Sequence, residues 1–171
     1  MFTFDKIVLM RRMNAGNTNS GGYPASEMRA FLEGAAGDGS GPFELGLKTA
    51  IGDYLYTVKR YTSVKNGMAW NDFTVFLPTA LEVGTTLYWD SSGVYPDDED
   101  DTESLQKKFP IFSVRRTRKR KIGENPDFNS WWWLASTYSG SSSFCHINTS
   151  GTAYNHSASG AGGCAPAFCV A

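Results

Sequence analysis

The side chains able to do chemistry are few and poorly spaced for it. Three cysteines (Cys145, Cys164, Cys169) and two histidines (His146, His156) all fall in the last third of the chain. A reactive thiol needs a cation or a helix N-terminus close by to hold it as thiolate. Cys164 and Cys169 flank Pro166, and no basic residue follows Lys121. The thiols therefore read as small buried hydrophobes. A disulfide from Cys145 to Cys164 or from Cys145 to Cys169 stays open. A metal centre would lack any C-x-x-C pair and would have only two histidines to draw on. A hydrolytic triad would lack its carboxylate, since no Asp or Glu shares a segment with His146 or His156, and nothing marks the distant Asp72 or Asp127. The expectation is a protein that is not an enzyme, with no catalytic residue, no metal and no cofactor.

Two charge clusters come next. Asp97, Asp98, Glu99, Asp100 and Asp101 lack the alternating ligands and central glycine of a calcium loop, so they read as a solvated acidic loop. Arg115 to Lys121 is basic at every position but Thr117. No aromatic residues interleave it, and net charge is −1. It reads as a solvated strand edge, not as a nucleic-acid site. No signal peptide is visible between Met1 and Met10. No apolar run approaches the roughly 20 residues that span a bilayer, so a soluble chain without membrane insertion is expected.

What the chain offers instead is a face for recognition. All of its 16 basic and 17 acidic residues precede Phe128. The charge-free tail opens on Trp131-Trp132-Trp133 and closes on Pro166-Ala167-Phe168-Cys169-Val170, with small polar residues between. Trp132, Trp133, Phe144, Pro166 and Phe168 read as a packed frame. Ser136, Thr137, Tyr138, Ser141, Ser142, His146, Asn148, Ser150, Thr152, Tyr154, Asn155 and His156 read as the ligand-binding face. Tyrosine brings rigid contact area with a hydroxyl, and Ser, Gly and Asn bring adaptable hydrogen bonds.

The elements that must hold this face are short. Ile7-Val8-Leu9-Met10 predicts a strand, so near Met1 that it leaves room for residues upstream in the natural chain. Asn14 to Gly22 predicts a loop. Ser26 is the expected N-cap of a helix with Met28, Phe31 and Leu32 on one stripe. A second helix should start at Pro42 and carry Leu45, Leu47 and Ile51. Strands are expected at Tyr54–Thr62, Phe73–Leu77 and Ile111–Val114, one helical turn at Thr79–Val83, and a short helix at Thr102–Phe109. In the tail, strands are expected at Trp132–Ala135, Phe144–Ile147, Thr152–Tyr154 and Ala167–Ala171. Turns fall at Ser139-Gly140, Ser150-Gly151 and Gly160–Gly163. Along these strands Phe144 and Cys145 should anchor the interior, while His146, Asn148, Ser150, Thr152, Tyr154 and His156 face outward.

Several motifs together carry a resemblance. Trp132-Trp133-Leu134-Ala135-Ser136, Phe144-Cys145-His146-Ile147-Asn148, Ser150-Gly151 and Ala165-Pro166-Ala167-Phe168 look like the WWLRS, F-x-x-V/I-N-x-x-G and G-V-R/A-P-A-F pattern of a bacterial and phage family. Gly21 to Arg29 and Phe73 to Val83 fit its upstream segments. Ala135 and Thr137 stand where many relatives carry Arg and Pro, and the acidic loop lies outside the pattern. The resemblance implies an α+β, C-type lectin-like fold: one domain over 1–171 of short antiparallel strands, two or three short helices and long loops. The same scaffold hosts formylglycine-generating oxidation, but Cys164 and Cys169 lack the setting for it.

The tail, about 132–171, also resembles the variable region of proteins diversified by retroelements, such as receptor-binding tropism determinants at phage tail tips. Randomising the adenines of Asn codons never yields Trp, Met, Lys, Glu or Gln, and none of these occurs from Leu134 to Ala171. The implied function is a metal-independent display protein for a protein or glycan receptor on a cell surface, carried on a virion tail or a bacterial surface. Homo-oligomerisation is left open. The alternative is a structural or adhesin-type module of the same fold that was never diversified.

Overall fold

In the computed structural model, which describes residues 1–64, 67–80, 82–84, 109–112, 114–123, 129–138 and 140–171, the chain opens with three short strands. These are β1 (Phe2–Thr3), β2 (Lys6–Ile7) and β3 (Leu9–Arg11). The apolar run expected as one strand is split at Val8, whose N–H donates to Cys164 O at 2.9 Å. The break lets β2 and β3 pair with different partners.

Helix α1 (Glu27–Glu33) starts as its sequence requires. The Ser26 hydroxyl accepts the Arg29 N–H, and Gly34, at φ 91°, ends the helix. Met28 and Leu32 are buried and Phe31 partly so. Helix α2 (Pro42–Ile51) begins at the proline, but Leu45 is half exposed and does not join the core. The expected Tyr54–Thr62 strand is two, β4 (Leu55–Tyr56) and β5 (Val58–Val64), and β5 forms a hairpin with β6 (Gly67–Phe73). β7 (Val75–Phe76) follows, and Val83 N–H then donates to Thr79 O at 3.1 Å, closing the expected helical turn.

The acidic run 97–101 and most of the expected helix at 102–109 lie outside the described residues. Ile111–Val114 is a correction: Pro110–Phe112 form a 3₁₀ turn. A second such turn covers Arg115–Arg118, and β8 (Arg120–Ile122) follows. The basic run is not wholly solvated, because Arg120 is buried with its guanidinium 5.0 Å from the Phe112 ring and 5.2 Å from the Trp132 ring. A cation over two aromatic faces recovers part of the hydration it loses.

The tail supplies β9 (Asn129–Ser130), β10 (Trp132–Thr137), β11 (Ser143–Ile147), β12 (Ala153–Ser157), β13 (Gly162–Cys164) and β14 (Ala167–Val170). The glycine-rich β13 was expected to be only a turn. The principal sheet has the order β12-β11-β10-β13-β3, antiparallel except for β10 with β13. β1, β4 and β7 all pair with β14, so the first and last strands of the chain are joined. β2, β8 and β9 form a third small sheet. Helices and short strands make a mixed α+β fold. Among the described residues no helix is long and apolar enough to cross a membrane.

β10 is buried at every position because apolar clusters cover both of its faces. Trp133 and Ala135 pack with Tyr23, Met28, Phe73 and Phe144, while Trp132 and Leu134 pack with Ile7, Phe112, Cys145 and Ile147. The first cluster also holds a charge. Arg60 lies 3.8 Å over the Phe76 ring, donates to Leu77 O and pairs with the buried Glu82 carboxylate, which accepts the Thr79 N–H at 2.7 Å.

Candidate functional site

The three cysteines are free thiols, so neither disulfide forms. Cys145 and Cys164 are buried, and burial pushes the Cys164 thiol up to about 12, which keeps it protonated and unreactive. Among the described residues no three His, Cys, Asp or Glu side chains converge as metal ligands.

The expected recognition face divides in two. Ser136, Thr137 and His146 do not belong to it. All three are buried, at 0 %, 5 % and 5 % exposure. Ser136 Oγ accepts the Ala80 N–H at 2.9 Å, tying β10 to the segment after β7. Thr137 is enclosed where the register between β10 and β11 shifts. His146 lies opposite Trp133 on one side and Tyr154 on the other. Side-chain alternation was right about which face it points to. That face is covered by Trp131, whose ring centroid is 4.9 Å from the imidazole.

His146 Nδ1 is buried without a hydrogen-bond partner. Desolvation, helped by the nearby His156, pushes its pKa down to about 4, so the ring is neutral near pH 7. An orphaned ring nitrogen inside an aromatic nest is a cost that the packing must offset.

The rest of the expected set is solvent-accessible to different degrees. β12 is the outer strand of the principal sheet. Tyr154, 56 % exposed, and His156 stand on its outward face, with Thr152 just before it; Asn155 points the other way, half-buried opposite Cys145. Ser141, exposed, and Tyr138 and Ser142, half-buried, lie at the β10–β11 connection. Ser150 is exposed and Asn148 half-buried at the β11–β12 connection, the opposite end of β11. Asn148 is a turn builder: its Oδ1 accepts the Ser150 N–H at 3.0 Å, the Ser150 hydroxyl at 2.7 Å and the Thr152 N–H at 3.0 Å. The accessible residues thus form a strip along one edge strand, ending at a turn on each side.

Two residues central to this strip were not read as part of it. Trp131 was taken only as an apolar anchor. It is half-buried and stacks on His156, with centroids 4.8 Å apart and planes at 14°. It also meets Trp133 edge-on at 4.8 Å. Gly162 makes room for it, since a Cβ there would fall 2.2 Å from the Trp131 ring. Asn19, in the loop 14–22, is buried, and its Nδ2 is within reach of the carbonyls of Tyr138, Gly140 and Ser143 at 3.1, 2.6 and 2.9 Å. Its two protons can serve two of these at a time, which clamps the β10–β11 connection. A polar loop gives no signal for such a distant role.

The arrangement is an uncharged rim of aromatic, imidazole and hydroxyl groups on a backbone fixed by two core layers. It can stack and hydrogen-bond, and among the described residues it shows no nucleophile with an adjacent base. The chain belongs to the family described as a domain of unknown function (DUF6273), whose model matches residues 1–171. No curated protein and no solved structure matches it.

Proposed function

We propose that this family member is a binding module: a C-type lectin-like scaffold whose C-terminal edge recognises a protein or glycan receptor, with the identity of the edge residues set by retroelement diversification. One observation carries the reading. Thr152, Tyr154 and His156 repeat at every second position on an outer strand, exposed and without formal charge, above a sheet buried on both faces. Exposed positions of that kind change identity at little cost to folding, usually within about 0.5 kcal/mol.

Two measurements test the proposal. Replacing Thr152, Tyr154 and His156 with random mixtures of Ser, Thr, Asn, Asp and Tyr should leave the melting temperature nearly constant, whereas the same mixtures at Ser136, Thr137 and His146 should not fold. Equal sensitivity at both sets would refute a variable edge. The coding DNA gives the second: diversification requires a near-copy of the 132–171 region beside a reverse transcriptase, differing only at adenines.

The burial of Ser136, Thr137 and His146 favours a second reading, an undiversified adhesin-type or structural module of the same fold. In that case no such copy exists and the edge residues are fixed.

A further inference from the structure

A second surface, outside the charge-free tail, has the chemistry of a small-ligand site. The β5–β6 hairpin and α1 enclose a cleft of about 380 Å³, within the size range of small-molecule pockets. Trp70, 45 % exposed on β6, stands at its wall. Thr57, Asn71, Asp72 and Thr74 line the remainder, with Arg29 and Glu33 also reaching it from α1.

The polar groups are held rigidly. Arg29 Nε donates to Glu33 Oε2 at 2.9 Å and its Nη2 to Asp72 O at 2.8 Å. Glu33 Oε1 also accepts the N–H groups of Thr74 and Val75. The Thr57 and Thr74 hydroxyls are 3.0 Å apart. Asn71 spends its amide N–H groups on Thr62 and Ala69, leaving its carbonyl oxygen unspent. The Asp72 carboxylate makes no hydrogen bond or ion pair among the described residues, although its main-chain carbonyl is engaged.

Charge decides the class of ligand. Arg29 and Glu33 neutralise each other as a buried pair. Lys59 lies directly across the hairpin from Asp72 and offsets its charge. The cleft therefore has no net field to attract an ion. It presents a flat indole beside acceptors and hydroxyls fixed by the backbone. We propose that this cleft binds a neutral saccharide, the Trp70 face taking the apolar C–H face of one pyranose ring while Asp72, Asn71 and the threonine hydroxyls take its hydroxyl groups. The site does not rest on the tail and does not require it to vary.

The test uses the full chain and a panel of neutral sugars: glucose, mannose, galactose and N-acetylglucosamine, free in solution and as immobilised oligosaccharides. Saturation-transfer NMR reads the free sugars and surface plasmon resonance the immobilised ones. At least one should bind, and Trp70→Ala should weaken it by at least about tenfold, the equivalent of 1.4 kcal/mol. Asp72→Asn, isosteric and exposed, should weaken it as well with the near-UV circular dichroism unchanged, so a folding defect cannot mimic the result. Tyr154→Ala with His156→Ala should leave it unaltered. Binding of free sugars would mark a soluble ligand, and binding of immobilised chains alone a surface glycan; both uphold the site. The proposal is overturned if no neutral sugar binds, if binding ignores both cleft substitutions, or if the tail substitutions abolish it.

Discussion

Replacing His146 with Phe should remove a defined part of the protein's acid sensitivity. His146 is buried among Trp131, Trp133, His156 and Tyr154, and its Nδ1 has no partner. Burial pushes its pKa down to about 4, whereas in the unfolded chain it sits at about 6.5. The unfolded state therefore takes up a proton first as the pH falls. Stability tied to the neutral ring is complete above about pH 6.5 and drains away as the pH falls through about 4, at 1.36 kcal/mol per unit. The total is about 3 kcal/mol, a large part of the 5–15 kcal/mol typical of a folded domain.

Phenylalanine fills nearly the same space, cannot titrate and leaves no orphaned nitrogen, which alone costs about 1–3 kcal/mol when buried. Urea unfolding of both proteins from about pH 7 to about pH 4 supplies the measurement, with the difference between them cancelling the carboxylates they share. The variant should match or exceed the parent near pH 7 and gain on it by about 3 kcal/mol near pH 4. A difference that stays constant with pH, or an NMR titration of His146 near 6.5, would refute the buried neutral imidazole.

Three further outcomes follow from the packing and the site. Gly162→Ala would drive a methyl group into the Trp131 ring and to 2.6 Å from Trp133 Nε1, and should cost about 1–3 kcal/mol by thermal or denaturant melting. Arg60→Met leaves the Glu82 carboxylate buried without its cation and should cost about 3–5 kcal/mol, most of which Arg60→Met combined with Glu82→Leu should restore. Binding at the edge strand should persist in excess chelator, as surface plasmon resonance would show, because that strip has no carboxylates to hold calcium.

Much of the local structure could be read from the residues. Ser26 caps its helix, Pro42 opens the next, and the tail strands begin close to where their apolar residues do. The frame of Trp132, Trp133, Phe144 and Pro166 is buried as expected, with Phe168 only partly so. The errors arise where long-range contacts decide. Alternation along β11 assigns His146 a face correctly, but it cannot show that Trp131 will cover that face. Ser136 and Thr137 follow an apolar run in a strand with core on both sides, where period two carries no information about exposure. Arg120 reads as solvated because its aromatic partners, Phe112 and Trp132, lie outside the basic run. Gly162 to Cys164 reads as a turn because three small residues have no strand signal until β3 and β10 flank them.

The pairing of Phe2 and Thr3 with Phe168 and Ala167 has a consequence for synthesis. A ribosome releases the N-terminal strands long before their partners exist, so those early segments must wait unpaired while the rest is translated. Contacts so distant along the chain close slowly. Only when the last residues emerge can the molecule lock, and any altered tail meets its quality control at that final moment. Selection then acts on each new variant as a whole molecule that either shuts or stays open to proteases.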